Sequence, residues 1–231
     1  MAAFFAQAGL AVKGNTTVYN REVTYKNVAY GELAAQKMDV YLPANRGAST
    51  PAIVLIHGGA WMNGDKSSFN DVVAEIRKRL PGYAVFNLNH RLATYQGENV
   101  WPSQIEDINK AIGFIKEKSG EYLFNPAAIV MMGASSGAHL ALLQAYKYNE
   151  DNSVKAVVDL FGPTDLGYIF TNAPYPPVRL MLNLFLGGTP ENNADAYRGA
   201  SPIFHISKQS PPTIIFHGGA DNTVPITQSE D

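Results

Sequence analysis

A serine between glycines occupies the middle of the chain, in the sequence Gly133-Ala134-Ser135-Ser136-Gly137. A Gly-x-Ser-x-Gly frame between a strand and a helix is typical of a tight turn that lifts one hydroxyl above a sheet, where it can attack a carbonyl carbon. Apolar residues before the frame predict a strand, and "AHLALLQAY" after it predicts a helix. The frame therefore predicts Ser135 as a nucleophile and the Ser136 N–H as a donor to the developing oxyanion. The alternative is a serine that only caps the helix.

A second motif, "HGGAW" at residues 57–61, follows the apolar run "AIVLI". It resembles the HGGG-type loop of lipases and esterases, whose backbone N–H groups point at the oxyanion. Gly59 and Ala60 are accordingly predicted to donate hydrogen bonds there together with Ser136. Ala60 stands where the commoner motif has a third glycine.

A third motif, "HGGADNTVP" at residues 217–225, follows the apolar run "TIIF". The loop after a late parallel strand is where this architecture places the acid that orients a catalytic histidine. Asp221 is therefore the predicted acid. Asp159 lies within an apolar strand and Asp165 has the position of a helix or turn cap, so both are weaker candidates.

The histidine of such a triad is harder to place, because the expected chain order is serine, acid, histidine. All five histidines precede Asp221. His217 is the best of them as a base, whereas His57 is expected to shape its own loop and His139 to lie buried beneath the turn. A chain of 231 residues has no room after Asp221 for one more helix and one more strand. We therefore expect a truncated fold, with the last strand, the catalytic histidine and the final helix beyond residue 231.

Short apolar runs alternate with amphipathic stretches, which predicts helices flanking a mostly parallel central sheet. Four of the runs, including "AIVLIH" and "TIIFH", are continuously apolar, as expected of strands covered on both faces. The predicted strands are Glu22–Tyr25, Lys37–Leu42, Ala52–His57, Tyr83–Leu88, Ala128–Met132, Val154–Leu160 and Thr213–His217. The predicted helices are Ser67–Leu80, Ser103–Lys118, Ser136–Tyr148 and Val178–Leu186.

From about residue 163 to 202 this alternation gives way to a proline-rich stretch around one apolar helix. We interpret the stretch as a small excursion within a single α/β domain that spans 1–231, with 1–20 as an N-terminal extension. Aromatic residues in the excursion, or in loops at the carboxyl edge of the sheet, are candidate walls of a substrate pocket, with ordinary packing as the alternative for each. These residues are Trp61, Phe161, Tyr168, Phe170 and Tyr175.

Seven motifs together resemble one family in type and order. They are "MDVYLP" (38–43), "HGGAW" (57–61), "HRLA" (90–93), "WPSQIEDINKAI" (101–112), "GASSGAHLA" (133–141), "FGPTDL" (161–166) and "SPIFHIS…PPTIIFHGGADNTVP" (201–225). On these motifs the chain resembles the esterase/lipase branch of the α/β-hydrolase superfamily, close to its acetyl-xylan-esterase-like, feruloyl-esterase-like and kynurenine-formamidase-like members. The resemblance runs from about residue 22 to the C-terminus and implies an α/β-hydrolase fold.

The sequence departs from the family pattern in two places. His90 precedes Arg91 where the family usually has an aromatic residue, and the turn continues Ser-Gly-Ala rather than the commoner Ala-Gly-Gly. Neither departure removes a reacting group.

Composition excludes several other classes of protein. A net charge of −2 and a pI near 6.2 offer no basic field for nucleic acid, and no apolar run approaches the length of a membrane span. The chain has no cysteine, no metal-ligand spacing and no dinucleotide-binding fingerprint, so we expect no metal and no cofactor. Ala6-Gln7-Ala8 resembles the end of a secretory signal but lacks a basic region before it, which leaves a cytoplasmic and a secreted location both open. Oligomeric state is not set by the sequence.

The motifs and the resemblance imply a serine-dependent carboxylic-ester hydrolase. Its expected substrate is a small-molecule or polysaccharide-linked ester with a short acyl group, carried as an acyl-enzyme on Ser135. An arylformamidase stays open, because the loop and the turn suit attack on an amide as well. The third hypothesis is a non-catalytic binding protein of the same fold, because the catalytic histidine is missing from the sequence.

Overall fold

The computed structural model describes residues 10–13, 16–173 and 175–230. Its strands are β1 (Leu10–Lys13), β2 (Thr16–Tyr19), β3 (Val23–Ala29), β4 (Lys37–Leu42), β5 (Ala52–Ile56), β6 (Ala84–Leu88), β7 (Ile129–Ala134), β8 (Val154–Leu160) and β9 (Thr213–Phe216). Its α-helices are α1 (Asn70–Arg79), α2 (Ser103–Glu117), α3 (Ser119–Tyr122), α4 (Ser136–Lys147), α5 (Leu166–Asn172), α6 (Pro177–Leu186), α7 (Ala194–Ala200) and α8 (Thr227–Glu230). Short 3₁₀ turns precede α1 at Lys66–Phe69 and β9 at Pro202–His205.

Seven strands form one sheet in the order β3-β4-β6-β5-β7-β8-β9. The pairs β3/β4 and β4/β6 are antiparallel, whereas the four pairs from β6/β5 to β8/β9 are parallel. The sheet is thus mostly parallel, as the alternation of strands and helices in the sequence predicts.

The register of the parallel strands brings three loops to one edge. Ile56 at the end of β5 pairs with Gly133 of β7, and Leu160 at the end of β8 pairs with both Ala134 and Phe216. The segments that begin at His57, Ser135 and His217 therefore leave the sheet side by side. A crevice outside the carboxyl ends of parallel strands is where ligands bind in such folds.

Alternate residues of the central strands enter two apolar cores, because side chains in a strand point to opposite faces in turn. In β5, Ala52, Val54 and Ile56 join the larger core, which includes buried residues of α2, α4 and α6. Ile53 and Leu55 join the smaller core, against Phe69 and Val73. Helices thus cover both faces of the central strands.

The sequence predicted the longer elements well. The bounds of β4 and β8 are as predicted, and α2 and α4 differ from prediction by one residue at their C-terminal ends. The short helices α3, α5, α7 and α8 were not predicted, because four to seven residues are too few to show a helical period. Two of them, α5 and α7, flank α6 and give the excursion an all-helical structure.

The expectation that "TIIFH" is covered on both faces was wrong for this structure. Ile214, Ile215 and Phe216 are 54%, 38% and 54% exposed. The physical reason is position, since β9 is the last strand of the described sheet and pairs there only with β8.

At the N-terminus, β1 and β2 form a two-stranded antiparallel ribbon that the sequence did not predict. The possible signal remnant around residues 6–8 lies outside the described residues. The assignment of a single domain to 1–231 stays a prediction.

Candidate active site

Ser135 lies in a strained turn between β7 and α4. Its backbone has φ 52° and ψ −122°, a combination that is costly for any residue with a β-carbon. Its N–H donates to the Leu160 carbonyl at 2.8 Å, and its carbonyl accepts from the His139 N–H at 3.0 Å. The turn is therefore held from both sides, by β8 and by the first turn of α4.

The glycine two residues after Ser135 is required for space. A β-carbon at Gly137 would lie 2.1 Å from the Ile56 carbonyl oxygen and 2.4 Å from that of His57. Because no side chain fits there, α4 can begin directly against the end of β5. This close approach brings the loop after β5 next to Ser135.

That loop is the predicted oxyanion loop. Gly59, Ala60 and Trp61 have φ of 129°, 51° and 60°, three successive residues in the left-handed region. A β-carbon added at Gly58 would lie 3.4 Å from the Ser135 β-carbon, so the loop passes directly beside the serine.

The predicted donors are free to act. Within the described part of the chain, none of the backbone N–H groups of Gly59, Ala60 and Ser136 donates a hydrogen bond. Unpaired N–H groups beside a nucleophilic serine are what stabilisation of an oxyanion requires. These three roles stay predictions.

A small cavity opens beside Ser135, with a volume of about 30 Å³. Its walls combine the oxyanion loop, the excursion helices and the loop after Asp221. The lining residues are Ala60, Trp61, Ser135, Pro163, Ile169, Val178, Met181, Leu182, Thr223 and Val224. Most of these residues are apolar, so the cavity suits a small apolar group.

Of the predicted substrate-binding residues, Trp61 lines this cavity, whereas Phe161 and Tyr168 do not. Those two side chains are half-exposed, Phe161 directly after β8 and Tyr168 on α5. Val178, Met181 and Leu182 of α6 were not singled out from the sequence. Their apolar helix was predicted, but a helical pattern alone does not say which of its residues face the serine.

Asp221 shapes the loop that follows β9. Its Oδ1 accepts from the backbone N–H groups of Thr223 at 2.8 Å and Val224 at 2.9 Å. Both of those residues line the cavity, so the carboxylate holds part of the cavity wall. Its Oδ2 lies 3.8 Å from Nε2 of His217.

The two competing aspartates have other partners. Asp159 is fully buried and its Oδ1 accepts from the Gly162 N–H at 2.6 Å, while burial raises the pKa of this carboxyl. Asp165 caps α5 by accepting from the Tyr168 N–H at 2.9 Å, as the sequence predicted. Neither of these hydrogen bonds involves Ser135.

The ring of each of the five histidines is hydrogen-bonded to a group other than the Ser135 hydroxyl. The partners are Gly58 O for His57, Arg91 O for His90, Trp61 Nε1 and Ala200 O for His139, Gly199 O for His205, and Ser229 Oγ and Val224 O for His217. In the described residues, no histidine therefore stands in the position of a base for the serine.

Burial keeps the histidines near the site uncharged. It lowers the pKa of His139 and of His90 to about 4, and it lowers the pKa of His57 as well. The rings of His57 and His90 stack at 4.7 Å beneath the oxyanion loop. The stacked pair is therefore neutral at pH 7 and adds no charge to the loop.

The residues that the structure describes contain no cluster of three or more His, Asp or Glu side chains that could hold a metal ion. None of the described helices is long and apolar enough to cross a membrane.

Comparison with known proteins places these features in context. The model of the BD-FAE family matches residues 38–231. The chain is 29% identical to the probable carboxylic ester hydrolase LipM of Mycobacterium tuberculosis, over 88% of this chain and 49% of that protein. The chain therefore spans about half the length of this curated relative.

Two solved structures share the fold. A bifunctional GH43-CE protein of Bacteroides eggerthii matches with a TM-score of 0.78 and 30% identity, over 90% of this chain and 32% of that one. A truncated form of a carbohydrate esterase from gut microbiota matches with a TM-score of 0.75 and 29% identity, over 91% and 82%. These relatives confirm the α/β-hydrolase fold and the esterase resemblance that the motifs indicated.

Proposed function

The chain belongs to the BD-FAE family, and on this basis we propose that it hydrolyses carboxylic esters by transferring their acyl group to Ser135. One observation carries the proposal: a serine in a strained turn lies beside a loop in which the Gly59 and Ala60 N–H groups donate no hydrogen bond within the described part of the chain. A strained serine at the end of a strand and a preformed set of donors are the two parts that acyl transfer requires.

In the first half of the reaction, Ser135 Oγ attacks the ester carbonyl carbon and its proton passes to a base. The N–H groups of Gly59, Ala60 and Ser136 stabilise the oxyanion of the tetrahedral intermediate. The intermediate collapses, the base returns its proton to the leaving alcohol, and the acyl group stays on Oγ. Water then repeats the sequence on the acyl-enzyme and releases the acid.

The base of this mechanism is a histidine whose orientation Asp221 sets. The Asp221 carboxylate already accepts two backbone hydrogen bonds through Oδ1, which leaves Oδ2 for such a contact. Without the base, a serine hydroxyl is a weak nucleophile, although the oxyanion donors and binding alone sustain a rate roughly 10³–10⁴ above that in water.

The cavity size favours an acetyl group as the acyl part. The cavity is small and its lining is mostly apolar, which suits a short acyl group better than a long one. Val178 and Met181 are among the residues that line it. A formyl group is smaller still, so the arylformamidase alternative fits the same space.

The alcohol part is proposed to be a carbohydrate. This rests on the two solved relatives, one of which is a carbohydrate esterase. The half-exposed rings of Phe161 and Tyr168 are suited to stacking against a sugar outside the acyl cavity.

The test measures hydrolysis of naphthyl acetate, butyrate and octanoate beside formanilide, for this chain, for the protein extended to its natural stop codon, and for the Ser135→Ala variant of each. We expect a Ser135-dependent rate that is highest for acetate and falls steeply with acyl length. A rate that is equal or rising toward octanoate would refute the acetyl assignment, and faster turnover of formanilide than of acetate would favour the formamidase.

A fluorophosphonate probe separates the enzyme from a non-catalytic protein of the same fold, because the probe reacts with activated serines. We expect labelling that disappears in Ser135→Ala. The probe is also applied to the protein extended to its natural stop codon, and absence of labelling there would favour a non-catalytic binding protein.

A further inference from the structure

Trp61 sits in a backbone conformation that it would not adopt unaided. It follows Gly59 and Ala60, and its own φ is 60°. A bulky residue in the left-handed region costs of order 1–3 kcal/mol and persists only where surrounding contacts hold it. The contacts that hold Trp61 therefore also determine where the adjacent N–H groups of the oxyanion loop lie.

Two contacts of the indole ring fix Trp61. The ring stacks on Phe185 with centroids 4.3 Å apart and planes 6° from parallel. Its Nε1–H donates to Nδ1 of His139 at 3.1 Å. Stacking restrains the plane of the indole, whereas the hydrogen bond sets its rotation and its position along that plane.

The hydrogen bonds of His139 define its tautomer. Nε2 lies 2.7 Å from the Ala200 carbonyl oxygen, which can only accept, so Nε2 carries the proton. Nδ1 is then an acceptor, as the indole N–H requires. The ring is fully buried and burial keeps its pKa at about 4, so this arrangement is stable at neutral pH.

His139 is also hydrogen-bonded to the backbone of the nucleophile. Its N–H donates to the Ser135 carbonyl at 3.0 Å, in the first turn of α4. One residue therefore joins both halves of the site, through its backbone to Ser135 and through its imidazole to Trp61.

We propose that His139 is a positioning residue that sets the oxyanion loop relative to Ser135 through the Trp61 indole, an inference that rests on the proposed function for its catalytic meaning. The competing explanation is that His139 only fills the core and links α4 to the end of α7. Its two ring nitrogens allow these explanations to be tested separately.

Two substitutions keep one hydrogen bond each. In His139→Asn the amide oxygen can replace Nδ1 and accept from Trp61, while the bond to Ala200 is lost. In His139→Gln the longer side chain can replace the Nε2–H donor to Ala200, while Trp61 loses its acceptor. Both variants lose one buried hydrogen bond, so we expect a similar decrease in the free energy of unfolding. This similarity is the internal control.

The readout is a ¹H–¹⁵N spectrum, in which the two tryptophans of the chain give two indole signals that Trp101→Phe assigns. The Trp61 indole signal moves in both variants, because each removes the imidazole ring that packs edge-on against the indole, so the loop amide signals are decisive. We expect His139→Gln to move the Gly59 and Ala60 amide signals, and His139→Asn to leave them near their original positions. Equal displacement in both variants, or in neither, would overturn the proposal.

Reaction with the fluorophosphonate probe gives the catalytic consequence. We expect His139→Gln to react at least about tenfold more slowly than His139→Asn, short of the roughly hundredfold effect of losing an oxyanion donor. Equal rates would also overturn the proposal. If neither this chain nor the protein extended to its natural stop codon reacts, the proposed function fails, and the spectra still decide whether His139 positions the loop.

Discussion

Nε2 of His217 lies 3.8 Å from the Asp221 carboxylate but donates its hydrogen bond to the Val224 carbonyl at 2.8 Å. Its Nδ1 is bonded to Ser229 Oγ at 2.6 Å. The histidine next to the predicted acid is therefore engaged in holding the loop and the start of α8. His217 therefore has a structural role, which can be tested separately from a catalytic one.

We predict that His217→Asn lowers the free energy of unfolding by about 1–3 kcal/mol, because it removes buried hydrogen bonds, and changes the rate of Ser135 labelling less than about twofold. Urea unfolding and probe labelling measure the two effects. A loss of labelling comparable to that of Ser135→Ala, in a variant that is still folded, would identify His217 as the base instead.

The strain at Ser135 predicts an unusual gain in stability. Ser135→Gly removes the β-carbon that makes φ 52°, ψ −122° costly, whereas Ser135→Ala keeps it and serves as the matched control. Both variants lose the hydroxyl and should fail to react with the probe. We expect the free energy of unfolding, measured in urea, to be about 1 kcal/mol higher for the glycine variant than for the alanine variant. Equal stability would mean that the turn is not strained.

Much of this site was predictable because its parts are local. The Ser135 turn, the loop at 57–61 and the loop around Asp221 each follow a continuous apolar strand, and parallel register brings such ends together. The wall formed by Met181 was not predictable, since it depends on how a separate helix packs over the sheet. The exposure of Ile214 was missed for the same reason, because an apolar run gives no information on what covers it.

Asp221 holds the loop after β9, and it is proposed to orient the catalytic histidine. A substitution that keeps the first role and removes the second tests the assignment of the acid. In the protein extended to its natural stop codon, Asp221→Asn keeps an oxygen that can accept from Thr223 and Val224, so we expect stability within about 0.5 kcal/mol of the original but a large loss of Ser135-dependent hydrolysis. Asp165→Ala is the comparison, because it removes a helix cap and should cost about 1 kcal/mol of stability without loss of hydrolysis. The opposite pattern of activities would move the acid to Asp165.

Two buried histidines, His90 and His139, predict how stability changes with pH. Burial lowers the pKa of His90 and of His139 to about 4 in the folded chain, whereas the unfolded chain binds these protons near the ordinary value of 6.5. Their contribution to stability is therefore complete above pH 6.5 and is lost as the pH falls toward 4. Between pH 6 and 5, below most of the unfolded-state titration and above that of the carboxylates, we expect a decline of about 1 kcal/mol per pH unit for each histidine.

His90→Phe keeps an aromatic ring against His57 and removes one of these groups. Urea unfolding at several pH values should then show a slope smaller by about 1 kcal/mol per pH unit than in the original chain. An unchanged slope would show that His90 does not stay neutral in the folded protein.

The size of the acyl cavity leads to the sharpest prediction on substrate choice. Met181 and Leu180 are neighbours on α6, but Met181 lines the cavity beside Ser135 and Leu180 is 55% exposed to solvent. Met181→Ala should lengthen the cavity enough for two more methylene groups, each of which contributes about 0.8 kcal/mol when buried. We expect the ratio of butyrate to acetate hydrolysis to rise about tenfold in Met181→Ala, as kcat/KM for the naphthyl esters. Leu180→Ala should leave the ratio unchanged, and an equal rise in both variants would mean that the helix shifts as a whole and that this cavity does not select the acyl group.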